Sequence, residues 1–156
     1  MLARSPRRDR RAATMAETAI VLSLLMMMMI GLIVMGMGTV RYQQVAGLAR
    51  EAARYGSVRG ASYKSNTGSA MATPATIYTN AILPMSTGLD TTKLSYSVVW
   101  DNANQGPVYL SDPTTNKYTV NYITVTVSYQ WQSESFPGFS STTRTLTSTS
   151  RIPMSY

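Results

Sequence analysis

Residues 18–40 read TAIVLSLLMMMMIGLIVMGMGTV, 23 positions without a charge. A helix rising about 1.5 Å per residue covers roughly 34 Å over this length, enough to cross a hydrocarbon core of about 30 Å. Ten of the residues are Leu, Ile or Val. Each favours insertion by about 0.3 to 0.6 kcal/mol, so together they supply roughly 3 to 6 kcal/mol. The run is bounded by Glu17 and Arg41. A cleaved secretory signal would have an apolar core of about 7–15 residues followed by a small-x-small site; this run is longer and ends in Thr39-Val40-Arg41. Met26 to Met29 are consecutive, so they point all around a helix. They read as flexible apolar filler and not as converging thioether ligands.

Ahead of this segment stand Arg4, Arg7, Arg8, Arg10 and Arg11, opposed only by Asp9 and Glu17. Much of the net charge of +7 therefore comes from a short tail. Such a tail marks the cytoplasmic side of a span and touches anionic lipid. No groove-reading motif follows it, so nucleic acid is not expected as a partner. Arg41, Arg50, Arg54 and Arg59 lie downstream, but the upstream cluster is denser. Arg7, Arg8, Arg10 and Arg11 are thus read as the topology residues, with the N-terminus in and the C-terminus out. The chain has no Cys and no His. That excludes disulfides and thiolate sites and removes the commonest general base. No acidic pair, phosphate loop or metal-ligating cluster is legible, so no catalytic residue, cofactor or metal is expected and the protein reads as a non-enzyme.

Past the span, helical periodicity continues from Arg41 to Gly56. Tyr42, Val45, Ala46, Ala49, Ala52 and Ala53 share one arc at 100° per residue, Gln43, Gln44, Arg50, Glu51 and Arg54 lie opposite, and Leu48 and Tyr55 sit on the border. The sequence predicts one helix from about Ala16 to Tyr55, stopping at Gly56 or Gly60. Residues 61–73 read as a polar loop. Thr73-Pro74 opens a short helix that Pro84 ends. Strand patterns follow: Leu94 to Trp100, then Tyr118 to Trp131 with Ile123, Val125, Val127, Tyr129 and Trp131 on one face, then Thr143 to Ile152 after a Phe136-Pro137-Gly138 turn. Asp101 to Gly106 and Asp112 to Asn116 read as turns. One apolar face per strand means a sheet covered on one side. The cover is the Ala-rich helix, with Val45, Ala49, Ala52 and Ala53 packing on the sheet. The aromatic stripe Tyr96, Trp100, Tyr129 and Trp131 then reads as core and not as a ligand platform.

The expected fold is α+β and pilin-like: a long N-terminal helix, transmembrane then amphipathic, on a small antiparallel sheet. The domain reading is 1–16 as basic tail, 17–40 as transmembrane helix, 41–60 as juxtamembrane helix and 61–156 as exported domain.

The stretch from Arg10-Arg11-Ala12-Ala13 through Glu17-Thr18-Ala19-Ile20 resembles the start of TadE-like proteins, in which a basic tail leads to a Glu and then a membrane helix. Tyr42-Gln43-Gln44-Val45 and Ala49-Arg50-Glu51-Ala52-Ala53-Arg54-Tyr55-Gly56 are similar to the family's juxtamembrane helix. Ile123 to Tyr129 resembles its late strand. TadE-like proteins are pseudopilins of tight-adherence (Flp) pilus systems. The resemblance implies a structural protein of the bacterial inner membrane whose partners are the bilayer, other pilins or pseudopilins and the inner-membrane assembly platform. It also implies a prepilin peptidase cutting between Ala12 and Ala13, which makes Glu17 the fifth mature residue and an assembly contact. Where family members usually carry Gly and an aromatic, this chain has Ala12 and Thr18. Read from the residues alone, Glu17 is also a first-turn carboxylate that complements the helix dipole. The second function class is a standalone anchored binding domain, which an exposed aromatic cluster outside the core would favour.

Overall fold

The computed structural model describes residues 6–133 and 140–155, with side chains from residue 12 onward. The Phe136-Pro137-Gly138 turn and Glu134 lie outside the described residues, as do the side chains of Arg7, Arg8, Arg10 and Arg11. Helix α1 runs Pro6–Ser57. Contacts divide the chain into two compact units, Met1–Gly38 and Thr39–Tyr156.

In the first unit the helix is apolar on every side. Ile20, Leu24, Met28 and Met35 are among its exposed residues, at 67–71 % accessibility. Its few hydroxyls fold back onto the helix. Thr18 Oγ1 donates to the carbonyls of Thr14 and Met15, each at 3.0 Å, and Ser23 Oγ donates to Ile20 O at 2.8 Å. Such bonds satisfy polar groups that a bilayer interior cannot.

The second unit is built on the remainder of α1. Val45, Leu48, Ala49, Ala52 and Ala53 are buried and share one core with Ile77, Ile82, Ile123, Val125 and Val127. Leu48, on the border of the expected arc, is 2 % exposed, whereas Tyr42 is 49 % exposed. The inward face is therefore turned toward Leu48. Gly56 is not a stop signal, because the helix passes through it. It is a contact point: a Cβ there would overlap Ile123 Cδ1 and lie 3.1 Å from Ile77 Cδ1.

The loop expected at 61–73 is a helix in its first half. Helix α2 spans Ala61–Thr67 and ends at Gly68, whose left-handed φ of 69° lets its N–H return to Lys64 O. Gly68 was the legible stop signal. Helix α3, Pro74–Ile77, begins as the sequence indicates, with Thr73 and Thr76 forming a reciprocal capping box. Pro84 does not end the helical run. A π-helical turn, Tyr78–Ile82, leads into α4, Leu83–Met85. The wider turn gives Leu83 N–H the carbonyl of Tyr78, five residues back, and makes room for the ring that follows.

Strand β1 spans Leu94–Asn104, β2 Val108–Asp112, β3 Lys117–Val120, β4 Tyr122–Gln132 and β5 Thr143–Pro153. β1, β4 and β5 form one antiparallel sheet with β4 central; β2 and β3 form a separate hairpin. β1 outlasts its expected end at Trp100 because Asn102 N–H finds Asn121 Oδ1 at 3.0 Å. The single strand expected from Tyr118 to Trp131 is divided between β3 and β4 at Asn121. The hairpin turn at Asp112 is as read. Asp112 Oδ1 accepts from Thr114 N at 2.9 Å, and Asn116 takes a φ of 50°. The Thr115 hydroxyl, then the Thr114 amide, hold the Asp112 carboxyl below its ordinary pKa.

The sheet's inner face carries Ile123, Val125, Val127 and Tyr129, all buried. Tyr96, Trp100 and Trp131 are half-buried against this core, and Tyr96 stacks on Tyr78 with ring centroids 4.8 Å apart. The outer face is hydroxyl-rich. Thr126 pairs with Thr149 at 2.9 Å, and Ser128 with Thr147 at 3.0 Å. Arg151 lies 4.2 Å over the Tyr122 ring and reaches Asp101 at 2.8 Å, which clasps β5 to β1 across β4. The structure is thus a long N-terminal helix with a small antiparallel sheet, an α+β, pilin-like fold.

Candidate assembly site

Ala12, Ala13 and Glu17 lie on exposed turns of α1 in the first unit. Their position follows from the uncharged run behind them, which carries the same helix onward without a break. Glu17, Val21 and Leu25 form one ridge at i, i+4 spacing, and Thr18 and Leu22 form the next. A shallow groove lies between the two ridges. Grooves of this kind accept the ridge of a second helix. The carboxylate sits at one end of an otherwise apolar groove. Within the described residues no ion pair to Glu17 is formed. Nor do any three acidic side chains among them gather closely enough to hold a metal ion.

In the second unit, Val45, Ala49, Ala52 and Ala53 each have no accessible surface. They share one core with Ile77, Ile82 and the β4 residues Ile123, Val125 and Val127, and Gly56, further along the helix, faces Ile123 and Ile77. Arg41 opens this part of the helix. Its Nη1 donates to Gly88 O at 2.6 Å and to Gln44 Oε1 at 3.1 Å. Gly88 has a φ of 81°, so this turn suits glycine. The first cation after the apolar run thereby fixes the helix to the turn before β1. Asp90 follows. The Thr92 hydroxyl, then the Thr92 amide, hold its carboxyl below the ordinary pKa.

Two features escaped the sequence reading. Asn121 is fully buried and gathers three segments: its Nδ2 donates to Ala103 O and Gly106 O, its Oδ1 accepts from Asn102 N, its N–H donates to Pro107 O, and its carbonyl accepts from Met154 N. A lone Asn inside a strand pattern was the available signal. The second is Arg59, counted only as a downstream charge. Its guanidinium lies 3.8 Å over the Tyr55 ring and 5.8 Å from that of Tyr63. The i, i+4, i+8 spacing of these three residues was legible.

No curated protein and no solved structure matches the chain. The family described as TadE-like protein matches over residues 12–54. The matched stretch starts at Ala12, takes in the whole apolar run and ends at exposed Arg54, just past the buried Ala52 and Ala53. It coincides with the one helix among the described residues that is long and apolar enough to cross a membrane; an 18-residue stretch of that helix has a mean hydropathy of 2.6 and no buried residue. The helix is compatible with single-pass anchoring. Over residues 12–54 the chain is similar to the TadE-like family, and this same stretch holds the helix that is compatible with a membrane span.

Proposed function

We propose that this protein is a pseudopilin-like structural component in the assembly of a tight-adherence (Flp) pilus or a related secretion system. It sits in the bacterial inner membrane with the basic tail inside and the second unit outside. The observation that carries the reading is the TadE-like match, which spans the anchor and the helical face that the core covers. The groove beside Glu17 supports it. A neighbouring subunit's helix fits such a groove, and a prepilin peptidase cutting between Ala12 and Ala13 frees an α-amine that can pair with the carboxylate where water is scarce. Other pilins or pseudopilins and the inner-membrane platform are the partners; the role is structural and not enzymatic.

The test is Glu17→Gln, which keeps size and removes charge. Membrane insertion stays at the wild-type level, while co-purification with pilin partners falls by about tenfold, the loss expected for one poorly hydrated ion pair. Undiminished co-purification would leave Glu17 with its helix-dipole role alone and count against the assembly contact.

A further inference from the structure

Two clefts open on either side of Arg59 and Tyr63 in the second unit. One, of about 260 Å³, is lined by Tyr55, Thr76 and Asn80 among others; the second, of about 460 Å³, reaches Asn66 and Thr67. Every lining residue falls between positions 55 and 80. From Ala52 to Leu89 the sequence holds Arg54, Arg59 and Lys64 and no acidic residue at all. The walls of both clefts are therefore cationic or neutral.

Arg59 is the charge in the middle. Its plane is stacked on Tyr55, and its Nη1 reaches Tyr55 O only at 3.5 Å, the outer limit of a hydrogen bond. No carboxylate pairs with it among the described residues. A guanidinium held by stacking keeps its in-plane N–H groups for a ligand, and that fork matches a carboxylate. Around it are neutral hydrogen-bonding groups. Asn80 Nδ2 donates to the Tyr55 hydroxyl at 3.1 Å, and both Asn80, with its carbonyl oxygen, and Tyr63, with its hydroxyl, line the first cleft.

We infer that the two clefts bind an acidic saccharide of the uronate type, its carboxylate on Arg59 and its ring hydroxyls on Asn80 and Tyr63. A peptide fits less well. Peptide-binding surfaces offer a sheet edge, an apolar groove for a helix or an aromatic slot for a polyproline segment. These clefts are formed by helix ends and a connecting loop and offer none of the three. The paired clefts, with Arg59 and Tyr63 between them, suit a ligand of two or three sugar units.

The experiment titrates the full-length protein in lipid nanodiscs with trigalacturonate at low salt, with maltotriose as the neutral control and tetraglutamate as the acidic peptide control. Binding is expected to be saturable for trigalacturonate and to weaken as salt rises. Arg59→Gln lowers affinity by about tenfold, and Arg59→Lys, which keeps the charge without the planar fork, by a smaller factor. Asn80→Ala, at an exposed position away from the core, lowers affinity about threefold and serves as the second variant should Arg59→Gln fail to fold. Absence of saturable binding, equal binding of maltotriose, equal binding by Arg59→Gln and Asn80→Ala, or binding of tetraglutamate in place of trigalacturonate would each overturn the assignment. Because the readout uses isolated protein, it stands or falls apart from the assembly role.

Discussion

Gly56 shows how one missing side chain sets the distance between two elements. A methyl group there would meet Ile123 Cδ1, on a residue with no accessible surface. Overpacking of this kind costs about 1–3 kcal/mol, against a gain of about 1 kcal/mol from replacing glycine in a helix. Gly56→Ala is therefore expected to destabilise the protein by about 1 kcal/mol. Ile123→Val removes the offending atom, so the double variant should be more stable than the two single effects add up to, measured by thermal unfolding in detergent. Strict additivity would show that the two do not touch. At Asn121, replacement by Ala would remove three part-buried side-chain hydrogen bonds to backbone groups at about 1 kcal/mol each. The expected loss is about 3 kcal/mol, or roughly 6–12 °C in Tm for a chain of this size. A shift under about 2 °C would show that water replaces the amide without cost. Glycine stops and strand periodicity are local patterns, so α1 and the inner face of β4 could be read from the sequence. What Gly56 and Asn121 do is decided by residues distant in the chain, and no local pattern carries it.

At the scale of elements, the second half of α1 serves as core helix to a sheet whose other face is hydroxyl-rich. Ala49, Ala52 and Ala53 are fully buried in the core that also holds Ile123, Val125 and Val127 of β4. Ala49→Glu would bury an unpaired carboxylate and is expected to cost about 3–5 kcal/mol. Protease resistance of the second unit should collapse while the membrane-bound fraction stays constant, because residue 49 lies beyond the apolar run. Unchanged resistance would place Ala49 on an open surface. The periodic pattern named this face, though it put Tyr42 inward and Leu48 on the border. The helical run from Ala61 to Met85 was only partly legible. Its residues have weak helix propensity, and Pro84 is tolerated through a π-helical turn that depends on backbone geometry and not on residue type.

For the molecule as a whole, the apolar helix exposes large hydrophobic side chains on all sides in its first unit, and the second unit buries a core of its own. Water offers no stable home for the first, and lipid none for the hydroxyl-rich sheet of the second. Anchor and fold class were legible because both rest on long periodic runs. The clefts around Arg59 were not, since they combine residues from three segments. The proposed function requires the apolar helix to lie in the inner membrane with the second unit outside. Ser65 is exposed on α2, and the chain has no native cysteine, so Ser65→Cys gives a single reporter. In intact spheroplasts this cysteine should react with a membrane-impermeant thiol reagent, on protein that stays in the membrane pellet after alkaline extraction. Labelling that appears only after lysis, or protein released by alkali, would contradict the account.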